Sequence, residues 1–350
     1  MTSTAVSLRA EPKCRLPFIH IAVLAGIIAA ALVPASCGMN EESVEIADGN
    51  YSAPVLESFS VTGSSSLRMT FSRSVTVSDP SISPEIEIAD IGYSQPEAGD
   101  GICFVDVSLC GKLETGAQYV ISGTVFDAAG NSLTFSQQFL GFNESLPEIE
   151  ITEIHSMYAK GTSAGQDVYK NEFIELHIMA DGNLSGLELF SAYDGESKLY
   201  SLPAVEVKKD EVVVVHLRTK GDGCVNEVGD NLALATAKYS NDAVRDLWSE
   251  NEDARLGDKM DVILLRNNDG RLLDSVLYAC EADTEWKNAA MQAAAESAVD
   301  AGLWGPDASV SSAARADGMT ASKSLVKAAG KAHAEAWSVT ATNKETPGAL

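Results

Sequence analysis

From residue 53 onward, apolar and polar side chains alternate with period two. Phe59 and Val61 share a phase, as do Leu67, Met69 and Phe71, then Val75 and Val77, then Ile86 and Ile88. The same holds for Val105, Val107 and Leu109, for Tyr119 and Ile121, and for Leu133, Phe135 and Phe139. Successive side chains of a strand point to opposite faces, so this pattern makes half-buried strands with one apolar face. Gly, Ser, Pro and Asn cut the runs at short intervals, and short strands so spaced predict a β-sandwich over residues 53–143. The stretch Asp127-Ala-Ala-Gly130-Asn131 supplies a hairpin turn, because Gly and Asn tolerate positive φ. Asp127 reads as a turn residue bonding its own backbone, since the oxygen-rich cage that calcium requires is not visible around it.

The alternation resumes in "EIEITEIHS" (148–156) and in "NEFIELHIM" (171–179), where Ile174, Leu176 and Ile178 share a face. It continues through 184–191, 198–217, 261–279 and "SLVK" (324–327). Between these lies "TEWKNAAMQAAAESAVDAGLW" (284–304), whose alanines are the best of helix formers, so a helix is predicted there. The fold class expected is therefore all-β: two Ig-like β-sandwiches with one Ala-rich helical insertion in the second.

Two resemblances sharpen this. The first segment, with "GAQYVISGTVFDAAGN" (116–131), resembles bacterial Ig-like domains, which serve as spacers or binding modules. The second, 147–350, resembles a bacterial lamin tail domain in the order of its pieces. The matching positions run from Glu153, Ile154, Phe173, Glu175 and Leu176 through Leu184, Gly186 and Leu187. They continue with Asp261, Leu264, Gly270, Asp274, Ser275, Val276 and Tyr278, then Ser324, Leu325, Trp337, Thr346, Pro347 and Gly348. That resemblance implies a second Ig-like sandwich. Lys327 stands where the family carries Arg, and residues 218–258 and 281–320 are longer than a compact member needs. Long insertions on a sandwich are where binding specificity is expected.

The N-terminus has a different grammar. Residues 1–15 carry Arg9, Lys13 and Arg15 against Glu11, and residues 16–33 are an apolar run ending in Pro34-Ala35-Ser36-Cys37. A basic segment, an apolar segment and a small-residue site make a secretory signal. The ending resembles the lipobox of bacterial lipoproteins, which implies cleavage after Ser36 and a lipid on Cys37. The expected layout is a signal peptide over 1–36, an acidic tether over 37–52, and the two sandwiches. Gly38 lacks the Asp that retains lipoproteins in some inner membranes, so the resemblance implies an outer-membrane location in the cell envelope.

Charge narrows the partners. The chain has 50 acids against 25 Lys and Arg, and loss of residues 1–36 moves the formal charge from −25 to −27. Nucleic-acid binding needs clustered cations, so a nucleic-acid partner is not expected. The partners expected are the membrane, through the anchor, and an envelope or extracellular protein or glycan. Cys103 shares the phase of Val105 and is expected in the core, and Cys224–Cys280 is the one candidate disulfide.

Candidate chemistry is sparse. No zinc spacing, phosphate loop or nucleophile elbow is present, so no cofactor or metal is expected. Glu153 and Glu175 are the best acid pair, with Asp261 as a third carboxylate, yet they sit at positions the resembled family uses structurally. Trp248, Trp286, Trp304 and the nearby Arg245 lie on insertions and are candidate partner contacts, although such aromatics more often pack down to hold an insertion. Trp337 is assigned to the core. The function expected is a lipid-anchored, non-catalytic binding or scaffolding module. The alternative is an envelope hydrolase or nuclease-associated protein with an acidic site on the second domain.

Overall fold

The computed structural model describes residues 52–95, 101–163 and 165–349. The signal segment and Cys37 lie outside the described residues. Among the described residues the fold is all-β with one α-helix.

The N-terminal sandwich is built from β1 (Leu56–Gly63), β2 (Ser66–Phe71), β3 (Thr76–Ser83), β4 (Ile88–Ser94), β5 (Cys103–Leu109), β6 (Gln118–Phe126) and β7 (Ser132–Leu140). One sheet has the order β1-β2-β5-β4 and the other β3-β6-β7. The strands follow the predicted alternation: Leu67, Met69 and Phe71, then Cys103, Val105, Val107 and Leu109, face a common core with Ile121, Val125 and Phe135. Each such apolar side chain removed from water contributes about 1.5–3 kcal/mol. The β6–β7 hairpin closes as expected. Gly130 has φ +85°, and Asp127 Oδ1 accepts from the Ala129 and Asn131 N–H groups, both at 2.9 Å. The other oxygen receives Asn131 Nδ2 at 2.9 Å and Arg73 Nη1 at 3.3 Å, so this carboxylate serves the turn.

The C-terminal sandwich contains β8 (Glu148–His155), β9 (Ala159–Ser163), β10 (Gln166–Lys170), β11 (Phe173–Ala180), β12 (Gly182–Asn183), β13 (Leu187–Ser191), β14 (Ser197–Ser201) and β15 (Glu206–Val207). It continues with β16 (Val212–His216), β17 (Arg245–Trp248), β18 (Asp261–Asn267), β19 (Leu272–Ala279), β20 (Ala314–Arg315), β21 (Leu325–Lys327) and β22 (Trp337–Val339). A six-stranded sheet, β17-β16-β11-β8-β21-β22, faces a five-stranded sheet, β14-β13-β18-β19-β20. Ile151, Ile174, Leu176, Val213, Val215, Ile263, Leu265 and Val276 fill the space between, all fully buried.

The predicted helix is α1 (Ala289–Asp300), which packs on β18 and β19. Asn288 caps it, its side chain accepting from Met291 N at 2.8 Å. Ala294, Ala295 and Ala298 form the buried face with Met291, and their small side chains let the helix lie close to the sheet. The two sandwiches are joined by more than a loose tether. Asn143 Nδ2 donates to the carbonyls of Asn183 (2.7 Å) and Ser185 (2.8 Å). At Gly182 a Cβ would lie 2.4 Å from the Pro147 nitrogen, so only glycine allows that approach.

Two sequence expectations are corrected. Cys224 and Cys280 are free thiols, each partly buried, rather than a disulfide. The candidate partner contacts are core residues: Trp248, Trp286, Trp304 and Arg245 are between 2% and 7% exposed. Trp286 Nε1 donates to Ala308 O at 2.8 Å and Trp304 Nε1 to Ser312 O at 2.9 Å, so each indole ties its own insertion together while its ring packs into the main core. Trp248 stacks on His216 with ring centroids 4.0 Å apart. An indole buries a large apolar area, and that gain is largest under the insertion itself. The large apolar side chains this insertion exposes are Val225, Val228 and Leu234. Trp337 lies in the core.

Candidate functional site

The outer face of the six-stranded sheet carries an unusual density of buried ionisable groups. Its geometry begins with a β-bulge. Glu175 pairs with Glu153 but Leu176 pairs with Ile151, so β8 holds one extra residue. Thr152 and Glu153 therefore both face outward beside Glu150, while Ile151 and Ile154 stay in the core. The acid pair read from the sequence is thus brought together across neighbouring strands.

Both carboxylates are 1% exposed, and every oxygen has a partner from the chain. Glu153 accepts from Thr346 N at 3.1 Å and Thr346 Oγ1 at 2.8 Å. Glu175 accepts from Thr152 Oγ1 at 2.7 Å and Gly348 N at 2.6 Å. Burial raises the proton affinity of both groups. It carries Glu175 to about 7, with the Thr152 and Gly348 bonds opposing and the nearby Glu153 charge reinforcing. The Thr-Pro-Gly motif of the C-terminal segment is therefore bound from below by the two glutamates.

Beside this segment runs a groove of about 730 Å³. Its apolar wall is made by Met179, Val326, Ala328 and Ala329. Its polar side holds Glu150, which receives Lys327 Nζ at 2.7 Å and lies 3.5 Å from His177 Nδ1. Asp261, the third acid, is not in this group. It is fully buried on β18, where it accepts from Ser191 Oγ, Gly257 N, Ala192 N and Val262 N. Burial raises its carboxyl to about 7, and those bonds hold the 257–262 turn.

On the other side of the segment, the 218–258 insertion covers the sheet. Phe173, Val212, Val214, Tyr239 and Val244 form a small second core there. His155 stacks on Phe173 at 5.3 Å, and burial lowers its pKa to about 4, so the ring is neutral at physiological pH. His216 Nε2 lies 2.7 Å from Asp246 Oδ1, both groups buried, with burial lowering the histidine and Asp246 opposing. Glu227, fully buried, accepts from the N–H groups of Leu234, Ala235 and Asp246 and fastens the insertion loop to β17. Arg245 donates to Glu211 Oε1 and to the carbonyls of Glu227 and Gly229. Sequence reading missed Glu227, His216 and Asp246 as a unit, because their proximity arises from β17 pairing parallel to β16. Among the described residues, no group of three or more His, Cys, Asp or Glu is arranged to hold a metal ion.

A family model described as TP_1001_2nd, protein second domain, matches residues 147–342. The chain belongs to this family. The matched segment contains the bulge, both glutamates and the covering insertion, and it stops short of Thr346. An uncharacterized protein of Treponema pallidum (strain Nichols) is 25% identical over 215 residues, covering 59% of this chain. The chain spans 52% of that relative's length. Among solved structures, a DUF4876 family protein from Bacteroides thetaiotaomicron is similar over 78% of this chain and 90% of its own, at 11% identity and TM-score 0.30. The N-terminal part of the bacterial S-layer protein SbsC is similar over 36% of this chain and 41% of its own, at 17% identity and TM-score 0.23.

Proposed function

We propose that the protein is a non-catalytic binding or scaffolding module held at the bacterial cell envelope by a lipid on Cys37. The N-terminal, Ig-like sandwich lifts the lamin-tail-like domain off the membrane, and the groove and insertion surface of that domain meet an envelope protein or glycan. One observation carries the non-catalytic part. The carboxylates best placed for acid–base work are closed over by Thr346 and Gly348, which leaves them no free oxygen for a substrate. The lipobox-like Pro34-Ala-Ser-Cys37 supports the anchor. Two or more acyl chains hold a protein durably, at about 0.8 kcal/mol per buried methylene.

The test is metabolic labelling with a palmitate analogue in a bacterial host, combined with a photocrosslinking residue at Ala329 in the groove wall. Wild type should carry the label, fractionate with membranes and give a crosslinked product of discrete mass. Cys37→Ala should lose all three. Label absent from both proteins removes the anchor, and a labelled protein with no crosslink removes the groove as a contact surface.

The hydrolase alternative keeps one observation in its favour: Glu175, near the groove, holds its proton close to neutral pH, as a general acid must. Turnover of a chromogenic ester, phosphodiester or glycoside, abolished by Glu175→Gln, would establish that alternative and overturn the non-catalytic assignment.

A further inference from the structure

Residues 343–349 follow β22 and form neither strand nor helix. They contribute no buried apolar side chain: Pro347 is half-buried and Ala349 exposed. Apolar burial, the dominant favourable term in folding, therefore does little to fix this segment. Side-chain hydrogen bonds fix it instead. Thr346 and Gly348 donate to Glu153 and Glu175. Glu345 accepts from the Tyr239 hydroxyl at 2.7 Å and from Lys170 Nζ at 3.4 Å. Asn241 Nδ2 donates to the Pro347 carbonyl at 3.3 Å. Segments with few buried apolar contacts are the ones that open locally, below the free energy of global unfolding.

What the segment covers ties that opening to protons. Glu153 and Glu175 are Cα partners on β8 and β11, and each is 1% exposed. Glu345 adds a third carboxylate beside Glu153. Burial opposes the charge of Glu345, but bonds from its own backbone, from Tyr239 and from Lys170 outweigh burial and keep it ionised. Among the described residues, Lys170 is the one cation within ion-pair distance of any of the three. On the groove side stand His177, Glu150, Lys327 and Lys344, with Glu150 and Lys327 paired at 2.7 Å. On the other side lies the neutral His155, packed on Tyr239. Burial therefore raises Glu153 and Glu175, and the neighbouring carboxylates raise them further.

Lifting the segment would admit water to both glutamates and remove that cost. A carboxyl that binds its proton more tightly in the closed state favours closure at low pH. For Glu175 the contribution is complete below about pH 4.5 and is lost as pH rises through about 7. Lys344, Thr346 and Ala349 also line the groove, so the segment forms part of its wall. We propose that residues 343–349 are a proton-dependent strap, shut over Glu153 and Glu175 while that pair holds a proton and released when both are ionised, which opens one side of the groove and presents two adjacent carboxylates to it. The consequence for binding rests on the groove being a contact surface, as proposed above; the strap itself needs no ligand.

The experiment is hydrogen–deuterium exchange of the full chain in detergent from pH 5 to 8.5, read by mass spectrometry, with each rate compared with the intrinsic rate at that pH. Protection of the peptide holding Thr346 and Gly348 should fall about tenfold between pH 6 and pH 8, as expected of one carboxyl passing from about 7 to 4.5 on opening. Protection of the β18 core should not change with it. Glu175→Gln should flatten the profile. Thr346→Ala, at an exposed residue, removes a bond without removing a proton site, so it should lower protection by a similar factor at every pH and keep the slope. Protection independent of pH in wild type, an unchanged slope in Glu175→Gln, or a fall shared by the whole C-terminal sandwich overturns the strap. These outcomes are read without anchor or partner. They would refute the strap alone, whereas a missing crosslink at Ala329 would refute the groove contact alone.

Discussion

Replacing Glu175 by Gln should change how stability depends on pH, and the sign is opposite to ordinary acid denaturation. Burial under Gly348 and Thr152 raises this carboxyl from 4.5 to about 7. The folded chain therefore binds the proton more tightly than the unfolded chain does, so protonation stabilises the fold. The contribution is complete below about pH 4.5 and is lost as pH rises through about 7. A tenfold change in proton affinity corresponds to about 1.4 kcal/mol, which makes Glu175 responsible for a fall of about 3 kcal/mol between pH 4.5 and pH 8. Gln is neutral throughout, so the variant should lack that part of the slope. It also loses one acceptor oxygen, either for the Gly348 N–H or for the Thr152 hydroxyl, an offset of about 1 kcal/mol that does not vary with pH. Urea unfolding from pH 4.5 to 8, followed by tryptophan fluorescence, separates the two effects. All four tryptophans lie in the C-terminal sandwich, so the signal reports that domain. Glu172 and Asp261, also raised to about 7 by burial, contribute equally to both proteins and cancel in the comparison. Parallel pH profiles for wild type and Glu175→Gln would refute the assignment of a buried, protonatable carboxyl at this position.

Other substitutions probe the remaining links. Asn288→Ala removes the cap of α1 and the bonds to the Ala192 and Tyr193 carbonyls, and should cost about 1–2 kcal/mol, read as a lower Tm. Trp248→Ala should destabilise the C-terminal sandwich by about 3–5 kcal/mol, as loss of a buried aromatic stacked on His216; a near-neutral effect on Tm would restore it as a partner contact. Asp127→Ala should lower the Tm by opening the β6–β7 turn, while calcium should leave the wild-type Tm unchanged; a calcium-dependent rise would contradict the turn role. Cys224 and Cys280 should both alkylate in unreduced protein, faster at high pH because burial raises both thiols; a mass two hydrogens lower, protected from alkylation, would show a disulfide instead.

Periodicity alone determines much of this protein. The alternation of Leu67, Met69 and Phe71, or of Cys103 through Leu109, specifies strand and buried face together, because a one-residue slip would turn every apolar side chain to water. Alanine-rich composition places α1, and Asp127 with Gly130 places the hairpin turn, since these are local preferences that need no distant partner. Local pattern is silent about the rest. β17 carries Arg, Asp, Leu and Trp, and only its parallel pairing with β16 brings Asp246 to His216 and buries Trp248. The β9–β10 hairpin is polar and almost without apolar alternation, so nothing in its sequence marks it as strand. Glu153 and Glu175 are legible as a pair, but the bulge that turns Glu153 outward is not marked by alternation, and the Thr346–Gly348 segment that covers them lies 193 residues from Glu153 and 173 from Glu175 by its hydrogen bonds. Tertiary structure also decides which charged groups become buried. Desolvation depends on what packs over a side chain, and at this sheet the cover comes from an insertion and a C-terminal segment that the alternation of the strands does not encode.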